Sequence, residues 1–189
     1  MATETTSRSA LLIVNVQICF TLDPPQGIPA AGIVRENVAL VLEHARKAHP
    51  APTIIHIRNI GDPGEPDEPG TQVWDLKYPP LPGEHVIDKR KSNAFVGTSL
   101  GDLIAPDAEV VVVGLHSEYS VKSTCKAALQ RGNMVLLIKG AHGTYNHMDL
   151  ADGVLTPADK ISAQVEEELD RAGAIILDMK YLPGIFDGR

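Results

Sequence analysis

Val110-Val111-Val112-Val113-Gly114-Leu115-His116-Ser117-Glu118-Tyr119-Ser120 is the stretch on which the fold turns. Four β-branched apolar residues in a row leave no side for solvent, so the run reads as a strand covered on both faces. A glycine-led turn follows. A helix is then predicted over about Tyr119 to Arg131, stopping before Gly132. Strand, turn and helix are therefore contiguous, the unit from which parallel sheets are built.

Working outward, similar runs recur at Leu11–Val14, Thr53–Ile57, Met134–Ile138 and Ala174–Leu177. Between them the period changes to that of a helix. Val34, Val38, Val41, Leu42 and Ala45 share one helical face, and so do Ile161, Val165 and Leu169. For the latter helix, Thr156 is the expected N-cap, with Pro157 at the first position, Asp159 behind it and Gly173 as the stop. A weaker strand, His85–Ile87, and a short helix after Gly97 complete about six strands. The expected fold is α/β: a three-layer α/β/α sandwich on a mainly parallel sheet, one domain over residues 1–189. The segment from Gly61 to Gly83, interrupted by Pro63, Pro66, Pro69, Pro79, Pro80 and Pro82, is predicted to be a loop over the active face.

Composition narrows the function. Seventeen Lys and Arg against 24 Asp and Glu give a net charge of −7, with the positives scattered, so nucleic acid is not an expected partner. No apolar run approaches the roughly 18–20 residues of a membrane span, and none is predicted. Only Cys19 and Cys125 occur, too few for a disulfide framework, and the short polar lead lacks a secretory core; a cytoplasmic protein is expected.

Ligands of open α/β sheets bind at the carboxyl ends of the strands. Three polar residues fall there: Asn15 after the first strand, Lys89 after the His85–Ile87 strand, and Ser120 in the first turn of the helix after the valine run. Singly, each has an ordinary reading as a backbone partner, a solvated amine or a helix cap. Their order and spacing are what join them.

Leu11-Leu12-Ile13-Val14-Asn15-Val16-Gln17-Ile18-Cys19-Phe20, Lys89-Arg90-Lys91-Ser92-Asn93-Ala94-Phe95-Val96-Gly97-Thr98-Ser99-Leu100 and Gly114-Leu115-His116-Ser117-Glu118-Tyr119-Ser120 together resemble the three motifs of the isochorismatase-like, or cysteine hydrolase, superfamily, over roughly residues 10–180. The resemblance implies a hydrolase of small amides, esters or similar C–N bonds, forming a homodimer or homotetramer. It assigns an Asp that accepts and returns a proton to position 15, the Lys that pairs with it to Lys89 (not Lys91), and a Cys nucleophile to position 120. Here positions 15 and 120 hold Asn15 and Ser120. A carboxamide cannot exchange protons as a carboxylate does, and a hydroxyl stays protonated until a base takes its proton. The usual thiolate route is therefore not expected. A Ser–Lys dyad is the remaining catalytic possibility: without a carboxylate partner, a buried Lys89 sheds its charge and deprotonates Ser120. The alternatives are a catalytically silent relative that binds a small ligand, and an engineered inactive variant.

Cys125 lies five residues past Ser120, about 500° around a helix and so displaced by about 140°, which turns it away from the site. Cys19 sits beside Phe20 on another element and reads as a small buried apolar residue. Some relatives carry a metal bound by Asp and several His after the second strand; here that region offers only His56, so no metal and no other cofactor are expected. His56 reads as a core histidine, His142 and His147 as loop or surface residues. His116 lies in the turn whose backbone resembles the oxyanion loop, and a cis bond between His116 and Ser117 is the implied feature. Phe20, Trp74, Phe95, His116, Ser117 and Tyr119 are the candidate walls of a small-molecule pocket, Trp74 as a lid or subunit-contact residue.

Overall fold

The computed structural model describes residues 8–186. In order, the elements are β1 (Ser9–Val14), α1 (Ile18–Thr21), α2 (Ala31–Lys47), β2 (Thr53–Asn59), β3 (His85–Lys89), α3 (Leu100–Leu103), β4 (Glu109–Leu115), α4 (Lys122–Arg131), β5 (Met134–Gly143), β6 (His147–Met148), β7 (Leu155–Thr156), α5 (Ala158–Arg171) and β8 (Ile175–Asp178). Six strands form one sheet in the order β3-β2-β1-β4-β5-β8, every neighbouring pair parallel. The small β6–β7 pair is antiparallel and stands apart.

The apolar runs explain the layers. Alternate residues of one strand serve opposite faces of the sheet. Leu11 and Ile13 of β1, with Val111 and Val113 of β4, pack against Val34, Val38, Val41 and Leu42 of α2. Leu12 and Val14, with Val110 and Val112, pack against Leu100 of α3, Cys125 and Ala128 of α4, and Val165 and Leu169 of α5. The result is the expected α/β/α sandwich.

Several local readings are corrected. Thr156 is not the N-cap of α5: it is drawn into the β6–β7 pair opposite His147, and Asn146 Oδ1 instead accepts the Ala158 N–H at 2.8 Å. The helix after the valine run begins as one π-helical turn, Ser117–Val121, before α4 proper. His142 is neither loop nor surface; β5 runs on to Gly143 and buries it. The cis peptide bond precedes His116, at Leu115–His116, one bond earlier than expected, because β4 continues two residues past Val113 before the chain leaves the sheet.

Strand order places the site. The chain winds outward from β1 through β2 and β3, then returns to the other side of β1 with β4. A switch point of this kind, here at the carboxyl ends of β1 and β4, is where open α/β sheets bind their ligands. Gly114 makes the close approach possible: its φ is +120°, and a Cβ there would stand 2.0 Å from the Val14 carbonyl oxygen. The proline-rich loop is pinned over these ends by Ile18 N–H to Asp75 O (2.9 Å) and Lys77 N–H to Val16 O (2.9 Å). It contains a 3-10 turn, Gln72–Trp74.

Candidate active site

Asn15 is the first residue off β1 and sits in the left-handed region, φ 52°, which asparagine tolerates better than a branched residue. Lys89 is the last residue of β3, and Ser120 lies in the π-helical turn after β4. The switch point brings the three together. Ser120 Oγ accepts from Asn15 Nδ2 at 3.0 Å and from Lys89 Nζ at 3.0 Å, although the partners are 105 and 31 residues away in sequence.

Lys89 is only 2% exposed, and among the described residues it makes no ion pair. Its second polar contact is neutral: Nζ donates to Asn59 Oδ1 at 2.8 Å. Burial therefore pushes its pKa from 10.5 down to about 8, with Asp67 opposing the fall. Asn59, at the end of β2, is itself clamped. Its N–H donates to Gln17 Oε1 (2.8 Å), and its carbonyl accepts from Gln17 Nε2 (3.2 Å) and from Trp74 Nε1 (2.7 Å). Gln17 Nε2 also reaches the Trp74 carbonyl at 2.9 Å. Asn59 Nδ2 donates to Asp67 Oδ2 at 2.6 Å.

Among the described residues, Asn15 Oδ1 and His116 Nε2 are buried polar atoms without a hydrogen-bond partner. Burial also lowers the His116 pKa, which favours the neutral ring. It stacks edge-on against Phe20, centroids 4.6 Å apart, and lies 5.4 Å from Tyr145. An orphaned buried acceptor costs about 1–3 kcal/mol, a cost that a ligand donor relieves.

The other candidates are placed differently. Trp74 braces Asn59 from behind, with the Arg58 guanidinium 3.6 Å over its ring. Tyr119 is 49% exposed and its hydroxyl meets His147. Ser117 is fully buried and faces His142 Nδ1 (2.9 Å) and Ser162 Oγ (3.1 Å), away from Ser120. Phe95 packs on the second core with the Arg131 guanidinium 4.9 Å over its ring. Burial pushes both Cys19 and Cys125 up to about 12, so neither supplies a thiolate. His56 bonds Glu84 at 2.8 Å inside the sheet. Among the described residues no three His, Cys, Asp or Glu side chains are grouped to hold a metal ion, and no helix is long and apolar enough to cross a membrane.

A cavity of about 480 Å³ lies elsewhere, between the start of α2, the end of β5 and the start of α5. It adjoins Ser117 through His142, whose Nε2 lies 3.3 Å from Glu166 Oε1.

Sequence reasoning located Asn15, Lys89 and Ser120 but missed Asn59 and Asp67. An asparagine closing an apolar strand beside β1 is a signal for the first. Nothing in the loop singles out the second.

Comparison with known proteins identifies the family and the fold. Residues 9–165 match the isochorismatase domain. The chain is 38% identical over 141 residues to a streptothricin hydrolase of Streptomyces noursei, covering 72% of this chain and 50% of that protein; it thus spans about half the length of this relative. A solved isochorismatase from Pseudomonas putida KT2440 superposes with a TM-score of 0.80 at 28% identity, covering 92% of this chain and 89% of that one. A cysteine hydrolase from Pseudomonas syringae shares the fold alone, with a TM-score of 0.81 at 16% identity over 93% and 91% of the two chains. With its sheet order, its three converging motifs and a matched domain covering most of its length, the chain belongs to the isochorismatase family.

Proposed function

We propose that the protein hydrolyses a small amide, ester or similar C–N substrate through Ser120, with Lys89 as the base and Asn15 holding the substrate. The carrying observation is the convergence on Ser120 Oγ of Lys89 Nζ and Asn15 Nδ2, each at 3.0 Å, where Lys89 makes no ion pair among the described residues. The similarity to a streptothricin hydrolase supports a hydrolytic role.

The donor and acceptor inventory dictates the steps. Asn15 Nδ2 donates to Ser120 Oγ, which leaves the hydroxyl proton for another acceptor. Neutral Lys89 keeps one N–H on Asn59 Oδ1 and offers its lone pair to that proton. Lys89 Nζ takes the proton as Ser120 Oγ bonds to the substrate carbonyl carbon, and N–H groups of the turn after β4 receive the oxyanion. The carbonyl re-forms, the C–N bond breaks, and the Lys89 ammonium returns the proton to the departing amine. Water, deprotonated by Lys89, then cleaves the acyl-serine and restores Ser120. Asn15 Oδ1 accepts an N–H of the substrate, filling its empty hydrogen-bond position. With a pKa of about 8, about a tenth of Lys89 is neutral at pH 7. The steps call on no metal or organic cofactor, and the working unit is a homodimer or homotetramer.

The second reading is a silent relative that captures a small ligand; the unpartnered Asn15 Oδ1 and His116 Nε2 favour it, since both bind without turnover. A hydrolysis screen on small amides, esters and streptothricin separates the two. Turnover by the wild type that Ser120→Ala abolishes supports the Ser–Lys mechanism. Turnover only in the Asn15→Asp, Ser120→Cys double variant supports capture.

A further inference from the structure

Resting on the reading of Lys89 as the base, we infer that Asp67 is a positioning residue: acting through Asn59, its carboxylate sets the direction of the Asn59 amide and so aims the Lys89 amine at Ser120. Asp67 belongs to the proline-rich loop, far from every motif, yet it is only 5% exposed. Four groups stand in line: Asp67 Oδ2, the two ends of the Asn59 amide, Lys89 Nζ and Ser120 Oγ, at steps of 2.6, 2.8 and 3.0 Å.

The polarity of this line is forced from the Asp67 end. A carboxylate only accepts, so the Asn59 amino group turns to Asp67 and its carbonyl oxygen turns to Lys89. Were the amide reversed, Nδ2 would meet the Lys89 N–H groups donor to donor, and the amine would lose the acceptor that fixes its lone pair on Ser120. The Asn59 backbone is already held by Gln17 and Trp74, which leaves the side-chain amide as the one free choice. Asp67 makes that choice.

The loop is shaped to bring Asp67 there. Gly61 N–H donates to the Asp67 carbonyl at 3.0 Å, and a Cβ at Gly61 would stand 2.2 Å from Asp67 Oδ1. Position 61 has to be bare for the carboxylate to fold back on Asn59. Asp67 also places a negative charge near Lys89 in a site without one at position 15. Asp67 from the loop and His116 from the turn after β4 interact with the amine, and Cys19 of α1 interacts with Asp67. Burial favours the neutral forms of His116 and Cys19, so Asp67 is the charge that opposes loss of the Lys89 proton.

The test follows Lys89 directly, by NMR titration of protein carrying 13C at the lysine Cε, beside pH profiles of kcat and KM. Asp67→Asn is expected to lower the Lys89 midpoint, to move the rise of kcat to lower pH by the same amount, and to reduce plateau kcat about tenfold with KM unchanged. Asn59→Ala is expected to lower the midpoint as well, and adding Asp67→Asn to it is expected to cost less than on the wild type. An unchanged midpoint in folded Asp67→Asn overturns the inference. If that variant does not fold, an unchanged midpoint in Asn59→Ala does so. If no substrate is turned over, the hydrolase reading fails, and the Lys89 midpoints alone still decide the role of Asp67.

Discussion

Replacing Lys89 by methionine removes a buried amine while keeping most of its apolar stem, and the consequence depends on pH in a calculable way. In the fold the pKa of Lys89 is about 8, below the value of 10.5 for a free lysine. Below pH 8 both folded and unfolded chains carry the proton, and the fold bears the full cost of a buried ammonium. Between pH 8 and 10.5 the unfolded chain still holds the proton that the fold has released, so stability rises with pH. Above 10.5 the cost is gone. At about 1.4 kcal/mol per pKa unit, Lys89 costs the native state about 3 kcal/mol at pH 7 and about 1 kcal/mol at pH 10. Lys89→Met also leaves Asn59 Oδ1 without its Lys89 donor, a loss that does not change with pH. The difference in unfolding free energy, variant minus wild type, is therefore expected to fall by about 2 kcal/mol between pH 7 and pH 10. Urea titrations followed by circular dichroism at several pH values measure it, and other high-pH titrations cancel in the difference. A difference constant across that range would mean that Lys89 keeps an ordinary pKa, and its role as base near neutral pH would be refuted.

Two further outcomes test the scaffold beneath the site. Gly114→Ala forces a Cβ to within 2.0 Å of the Val14 oxygen at positive φ, and is expected to cost more than about 3 kcal/mol, or about 6–12 °C in melting temperature by calorimetry. A melting temperature within a degree or two of wild type would deny the close approach of β1 and β4. Asn146→Ala removes the acceptor for the Ala158 N–H and is expected to lower stability by about 1 kcal/mol in urea unfolding, whereas Thr156→Val is expected to change it little.

The parts of this protein that could be read from sequence were those governed by local pattern. Unbroken apolar runs at Leu11–Val14 and Val110–Val113 disclose strands covered on both faces, because burial on both sides leaves no polar position. Asn15, Lys89 and Ser120 could be found because each is tied in sequence to a strand end or a helix start, and strand ends are where α/β sheets bind ligands. Asn59 closes β2 and carries the same strand-end signal, whereas Asp67 depends on how a long loop folds back over the sheet, which no period records. The N-cap of α5 was misread for the same reason. Thr156 has the right chemistry in sequence, but the β6–β7 pair engages it, and an asparagine ten residues earlier takes its place. Ser117 lies three residues before Ser120 yet faces β5 and α5, because the π-helical turn directs the two side chains to different neighbours.

The central claim is that Lys89 activates Ser120, and covalent trapping tests it most directly. The protein is incubated with an activated acyl ester from pH 6 to 10, quenched in acid and analysed by peptide mass spectrometry. The account predicts a single acyl group on Ser120, formed at a rate that rises with pH and levels off above about 8, and lost in both Ser120→Ala and Lys89→Met. An adduct on another residue, or acylation of Ser120 that is indifferent to Lys89→Met, would contradict it.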